Sequence, residues 1–309
     1  MQYHVITIGN AVIDAFLFLP ENNTDLSFDR EKNKLCVTSG KKILLEECTF
    51  VLGGNACNVA VGMSRLGLKS ALLAEIGSDE FAQKILHGLN KEHVGVDLLI
   101  RGDGQSSFSL GINFQGERTL FIEHRDREHD FILSSLDATY FYLTSLGSKW
   151  EHVYKRMEDV LQSRPHQKLA FNPGSMQIKT GLSSFEYLLP FTSILFLNRD
   201  EAELLLGIKT DTQELMSLFQ KKGVKTVVIT DGENGSMCLS ESGEVLKQEM
   251  VKCTVVERTG AGDAFATGFL AAIISGKDEK EALLWGAKNA SSVIEQIGSQ
   301  KGLLTKENI

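Results

Sequence analysis

Short apolar runs alternate with helical patterns along almost the whole of this 309-residue chain, and that alternation restricts its fold more than any other feature. His4 to Gly9 reads as a strand ending in glycine, Asn55 to Leu66 as a helix stopped by Gly67, Ser70 to Ile76 as a strand and Glu80 to Glu92 as a helix. The rhythm returns with Leu169–Asn172, Ile194–Leu197 and Thr226–Thr230 as strands, and with Asp211–Lys222 and Lys280–Ile297 as helices. Strands joined by crossover helices lie parallel and are buried on both faces, so the expected architecture is α/β, a mostly parallel sheet covered by helices.

Two stretches break the rhythm, from about Phe16 to Val51 and from about Gly102 to His124. The second holds the β-type runs Ser107–Asn113 and Thr119–Glu123, joined by the turn Gln115-Gly116-Glu117, and neither stretch contains a helical pattern of its own. They predict a small sheet outside the main layer that covers the active-site end as a lid and keeps water from a reaction. The alternative is an edge hairpin with no part in chemistry. With 42% hydrophobic residues, no internal repeat and no Pro- or Ser-rich linker, residues 1–309 are expected to form a single domain with one sizeable core.

The net charge is −8, and no Lys/Arg cluster is denser than Lys41-Lys42 or Lys221-Lys222, which excludes a nucleic-acid or anionic-membrane surface. The five cysteines, Cys36, Cys48, Cys57, Cys238 and Cys253, are odd in number and show no CxxC or Cys/His metal pattern. Reduced thiols in a cytoplasmic protein are expected. Met1 to Ile8 lacks a basic stretch followed by a long apolar one, and no window approaches the roughly 18 apolar residues of a membrane span.

Chemistry concentrates near the C-terminal end, in Val255-Val256-Glu257-Arg258-Thr259-Gly260-Ala261-Gly262-Asp263-Ala264-Phe265. Glycines and a small residue run directly into a helical segment, so successive backbone N–H groups can point at one spot where the helix dipole also favours negative charge. That is a phosphate site. Asp263 cannot help hold phosphate there, which leaves proton acceptance as its task. Ordinary capping also places an Asp in a first turn. The following segment, Ala264 to Ile274, is apolar on almost every face, so burial fixes its N-terminus in the core facing a cleft.

Leu52-Gly53-Gly54-Asn55-Ala56-Cys57-Asn58-Val59-Ala60 sets Asn55 and Asn58 on one helix face, where both can address a polar ligand. Equally, Asn55 can be an N-cap and Asn58 a buried amide bonded to backbone. In Gly9-Asn10-Ala11-Val12-Ile13-Asp14 an acid follows the first strand, at the carboxyl end where open α/β sheets collect ligands. Carboxylates accept hydrogen bonds from sugar hydroxyls. Asn198 and Glu201, in Leu197-Asn198-Arg199-Asp200-Glu201, offer the hard oxygens that hydrated Mg²⁺ requires, or form an N-cap with an acid at the third helical position. Thr230 precedes the turn Asp231-Gly232-Glu233-Asn234-Gly235 and can meet a nucleotide phosphate or simply end in a β-turn.

In this order and spacing, GGNACN, NRDE, TDGENG and TGAGDAF resemble the ribokinase-like, or PfkB, carbohydrate kinases from Gly9 to about Gly298. The resemblance implies a three-layer α/β/α domain with a β-sheet lid, and transfer of the γ-phosphoryl of ATP to a hydroxyl of a small sugar or sugar-like acceptor. It makes Asp263 the base and the amides of Gly260, Ala261, Gly262 and Asp263 the anion hole. Asn198 and Glu201 would organise Mg²⁺ and its waters. Thr230, Gly232, Gly235 and Thr259 would line the nucleotide, with Asn289 beside adenine. Asp14, Gly54, Asn55 and Asn58 would hold the acceptor, and two subunits would pair through their lids.

Five departures from the family pattern stand out. Glu257 replaces an Asp that many members use toward a monovalent cation and Arg258 replaces a frequent Thr, which leaves potassium activation in doubt. Val12 and Asn55 stand where ribokinases carry a sugar-binding amide and a lysine, and Phe141-Tyr142-Leu143-Thr144-Ser145 lacks their ribose-binding acid. Ribose is therefore not the expected acceptor; a hexose, a keto-sugar acid and a nucleoside all fit. A nucleoside kinase of adenosine type and a sugar-binding regulator without turnover are the alternatives. A dinucleotide fold fails because Phe265 stands where its third glycine belongs, and Gly62 to Gly67 followed by Leu68-Lys69-Ser70 misses a P-loop by one residue.

Overall fold

The structure, a computed structural model, describes residues 3–32, 34–123 and 125–309. Residues 1 and 2, at the start of the segment inspected for a leader, and residue 124, at the end of the second predicted insertion, lie outside it, as does residue 33. The chain runs β1 (Tyr3–Ile8), β2 (Val12–Phe18), β3 (Leu26–Asp29), β4 (Lys34–Val37), β5 (Glu47–Gly53), α1 (Asn55–Arg65), β6 (Ser70–Leu73), β7 (Glu75–Ile76) and α2 (Glu80–Lys91). Then come β8 (Ile100–Arg101), β9 (Phe108–Phe114), β10 (Glu117–Glu123), β11 (Ala138–Leu143), α3 (Glu151–Ser163), β12 (Lys168–Phe171) and α4 (Ser175–Thr180). The last third is β13 (Thr192–Asn198), α5 (Arg199–Leu206), α6 (Thr212–Lys221), β14 (Thr226–Thr230), β15 (Ser236–Leu239), β16 (Val245–Gln248), α7 (Ala261–Ile274) and α8 (Glu279–Ile294).

Eight strands form the main sheet in the order β16-β15-β14-β13-β12-β11-β1-β6. From β6 to β14 the pairs are parallel, and β15 and β16 add an antiparallel edge. Alternation along the strands explains the layering. Phe141 and Leu143 of β11 and Leu195 and Leu197 of β13 pack with residues of α3, α5 and α6, whereas Tyr140, Tyr142, Ile194 and Phe196 pack with α7 and α8 on the opposite face. The result is a three-layer α/β/α body. Helix α7 is buried without interruption from Asp263 to Ala272, as its all-round apolar sequence requires.

A second sheet has the order β10-β9-β2-β5. Its β9–β10 hairpin turns at Gln115 and Gly116, both at positive φ (51° and 79°), the geometry that matches a two-residue hairpin to strand twist. This sheet begins at Val12 and includes Gly53, so its first segment extends beyond the expected 16–51 on both sides. In consequence Asp14 is a residue of this second sheet rather than of a main-sheet strand end. The predicted strand Ser70–Ile76 is divided, with β7 leaving the main sheet to pair with β8. Strand β11 and helix α3 belong to the body although the reading above contains neither; Val153, Tyr154, Met157, Val160 and Leu161 supply the helical period of α3. Among the described residues no helix is long and apolar enough to cross a membrane.

Candidate active site

The turn before α7 owes its shape to Gly260, which adopts a left-handed conformation (φ 77°) and lies so close to Ser299 that an added Cβ would fall 2.5 Å from the serine Cβ. Gly260 O accepts the Ala264 N–H at 2.8 Å, and Arg258 O receives that of Ala261 at 3.3 Å. The N–H groups of Gly262 and Asp263 belong to the first turn, where a helix provides no acceptor of its own. Gly260, Ala261, Gly262 and Asp263 all border one cavity of about 170 Å³.

Asp263 projects from this first turn and is only 6% exposed. Asn55 Nδ2 donates to its Oδ1 at 3.1 Å and Asn58 Nδ2 to its Oδ2 at 2.8 Å. Burial pushes the carboxyl up to about 7; the two amides oppose this shift, and the charge of Glu201 adds to it. A carboxyl poised there exchanges a proton near neutral pH. Neither local alternative for the two asparagines holds. Gly54 is the N-cap of α1, Asn55 is its first helical residue, and the Asn58 amide bonds side chains rather than backbone. Gly54 itself (φ 97°) permits close approach to the Asn10 carbonyl, which would lie 2.5 Å from a Cβ.

Across the cavity, Asn198 and Glu201 form a reciprocal capping box at the start of α5. Asn198 Oδ1 accepts the Glu201 N–H at 2.8 Å, and Glu201 Oε2 accepts the Asn198 N–H at 2.9 Å. Both residues also line the cavity with Asp263, so their capping role leaves them beside the acid. Burial raises the Glu201 carboxyl. With Oε2 engaged and Oε1 remaining, the pair fits a hydrated cation held through water better than one ligated directly. Among the described residues no three His, Cys, Asp or Glu side chains cluster as metal ligands.

A second cavity, also about 170 Å³, lies on the other side of the turn and shares Thr230, Arg258, Ala261, Gly262 and Phe265 with the first. Gly232 and Gly235 border it, and Val251, Val255, Ala287, Ala290 and Ile294 make its walls apolar. A polar chamber and an apolar one thus meet at one set of backbone amides.

Two expected nucleotide residues are elsewhere. Asn289 is fully buried within the α7–α8 layer: its Nδ2 donates to Ala264 O at 2.7 Å and its Oδ1 accepts from Leu304 N at 2.9 Å. Helical phase accounts for this, since Ala287, Ala290, Ser291 and Ile294 share the face toward the cavity and Asn289 does not. Thr259 borders neither cavity; its hydroxyl meets Arg118, reaching over from β10. The same guanidinium pairs with the partly buried Glu257 and lies 5.6 Å from the centre of the Phe16 ring. Glu257 Oε2 also accepts the Gly298 N–H at 2.8 Å. The departure at Glu257 is therefore matched by a cation from the second sheet.

On that sheet Asp14, 8% exposed, accepts from Ser109 Oγ and covers Gly53; burial raises its carboxyl, against the hydrogen bond from Ser109 and the charge of Arg118. Arg118 and Ser109, Asn172 on the wall of the polar cavity, and Ser299 and Gln300, which bond the Asn58 amide, are absent from the sequence-based set. Only Arg118 left a signal, as a cation between the Gln115–Glu117 turn and the β-type run that follows it; the others are ordinary polar residues until the fold gives them partners.

A buried acid beside a helix N-terminus, with a polar and an apolar chamber on either side, defines a phosphotransferase site. Comparison with known proteins makes the class specific. The family model described as "pfkB family carbohydrate kinase" matches residues 17–306, so the chain belongs to that family. An uncharacterized sugar kinase of Archaeoglobus fulgidus is 29% identical over 258 residues, covering 79% of this chain and 98% of its own. A 5-dehydro-2-deoxygluconokinase of Bacillus subtilis is 27% identical over 286 residues, covering 85% and 87%. The ribokinase of Arabidopsis thaliana, solved with ribose and ATP, shares the fold at a TM-score of 0.80 and 18% identity, over 99% of this chain and 97% of that one. The protein is a sugar kinase of the pfkB family with a ribokinase-like fold.

Proposed function

We propose that the protein transfers the γ-phosphoryl of ATP to a hydroxyl of a small sugar or sugar acid, with Asp263 as general base. The observation that carries this reading is the buried Asp263 carboxylate, held by the Asn55 and Asn58 amides at the mouth of the anion turn. The acceptor hydroxyl gives its proton to Asp263 as its oxygen bonds to the γ-phosphorus. The bond from that phosphorus to the β–γ bridging oxygen breaks, and its electron pair leaves with ADP. Phosphoryl transfer demands positioning and charge neutralisation more than covalent help. The amides of Gly260, Ala261, Gly262 and Asp263 are assigned to the transferred group, and the apolar chamber with Thr230, Gly232 and Gly235 to the nucleotide. Asn198 and Glu201 would hold Mg²⁺ through water, and the ion would neutralise phosphate charge. Asn55 and Asn58 act mainly on the base, Asp14 and Gly54 on the acceptor. Asn289 serves the packing of α7 and α8. A monovalent cation has no required place in this reading, because Arg118 supplies positive charge beside Glu257.

The whole chain is read as one domain whose second sheet is the lid. The lid also supports a homodimer: the outer strand β10 exposes Phe121 and Ile122 (54% and 57%), so an apolar edge is left uncovered on both faces. Five free cysteines suit a reducing, cytoplasmic setting. Coupled measurement of ADP release over a panel of hexoses, keto-sugar acids and nucleosides tests the function. Turnover is expected with a sugar or sugar acid. Turnover with nucleosides alone would make the protein a nucleoside kinase, and tight sugar binding without ADP release would make it a regulator.

A further inference from the structure

We propose that Ser299 and Gln300, in the turn after α8, are positioning residues that lock the Asn58 amide so that its N–H group faces Asp263. The proposal rests on the reading of Asp263 as the base. Asn58 Oδ1 accepts from Ser299 Oγ at 2.9 Å and from Gln300 Nε2 at 2.9 Å, which satisfies both of its lone pairs. Nδ2 is then left to donate to Asp263 Oδ2 at 2.8 Å. Rotating the amide by half a turn would set its carbonyl against the carboxylate and its NH₂ against the Gln300 Nε2 donor, losing both of those hydrogen bonds, and only Ser299 Oγ, which accepts as well as donates, would keep a partner.

The turn is itself anchored. Gln300 O accepts from Arg65 Nη1 at 2.6 Å, and Arg65 is held by two bonds of 2.8 Å to Glu92. Ser299 is buried against Gly260, and the Gly298 N–H bonds Glu257. Three successive residues therefore grip the flank of the anion turn, the turn itself and the holder of the base. The titratable and charged groups around Asp263 besides these neutral ones are Glu201 from α5, Tyr142 from β11, Cys57 from α1 and Arg258 on the shared cavity wall. None of them fixes which end of the Asn58 amide faces the carboxylate.

A freed Asn58 presents its carbonyl part of the time and favours the protonated acid, so the loss of activity should grow as pH falls. Losing a hydrogen bond to a charged group corresponds to about tenfold. In the full-length enzyme, the double variant Ser299→Ala/Gln300→Leu should have kcat about tenfold below wild type at pH 6.5 and within about threefold at pH 9, with KM for ATP unchanged. Each single variant should fall between, with Gln300→Leu, which removes the group that can only donate, the larger of the two; Gln300→Leu alone suffices if the double variant does not fold. An equal loss at both pH values, or an unmoved profile, would overturn the proposal. The wild-type profile separates the two readings: if it lacks an ionisation near 7 that Asp263→Asn abolishes, the base assignment fails, whereas an ionisation that is present but insensitive to Ser299 and Gln300 refutes only this inference.

Discussion

Asp263 and Asp14 are both buried carboxylates raised by burial, yet they are held in contrasting ways. Asp263 opens the unbroken buried run Asp263–Ala272 at the N-terminal end of α7 and takes its hydrogen bonds from two amides of a second core helix. Asp14 lies on a strand of the small sheet, is bonded by a hydroxyl of the adjacent strand and feels a guanidinium from that sheet's edge. The body thus presents a proton acceptor in fixed geometry, while the lid presents hydrogen-bonding capacity on a thin layer with exposed apolar edges. On the proposed reading, chemistry falls to the closely packed part and acceptor choice to the part that is least covered.

That contrast can be broken by substitution. Asp263→Asn should lower kcat at least about 10²-fold, the scale of a lost general base, with little change in either KM. A steady-state comparison checks it, and unchanged turnover would remove Asp263 from the chemistry. Asp14→Asn should instead lower kcat/KM for the acceptor by about tenfold to a hundredfold, the cost of hydrogen bonds to a charged group, while KM for ATP stays put. Titrating each substrate against the other in this variant separates the two effects; a change confined to ATP would merge the two halves of the site. Phe121→Asp with Ile122→Asp should convert a dimer to monomer by light scattering at micromolar concentration and change kcat by less than about threefold. A wild-type monomer at that concentration would count against pairing through the lid.

The parts of this arrangement that are local in sequence were legible before the fold was known. The alternation of strand and helix periods, the glycine turn into an apolar helix and the Gln115-Gly116 hairpin each follow from near neighbours. What escaped depends on distance or phase. Asn55 and Asn58 were read as facing a ligand, because nothing within α1 reveals that Asp263, 205 residues beyond Asn58, faces them. Arg118 meets Thr259 across 141 residues, which turned an expected nucleotide contact into an anchor for the lid. Asn289 was misplaced by one helical phase. Ser299 and Gln300 acquire meaning only through Asn58.

The central claim is that Asp263 takes the acceptor proton as an ion, from a position where burial has raised its carboxyl to about 7. A general base works as the carboxylate, so on the proposed reading the acid form, which predominates below that pH, is the inactive one. The most direct test is the single-turnover rate of phosphoryl transfer, measured by rapid quench between pH 5 and 9 with saturating ATP and sugar. The predicted profile rises tenfold per pH unit at the acid end and levels off above an ionisation near 7 that is absent in Asp263→Asn. A rate that is flat across the range, or one that falls as pH rises, would contradict it.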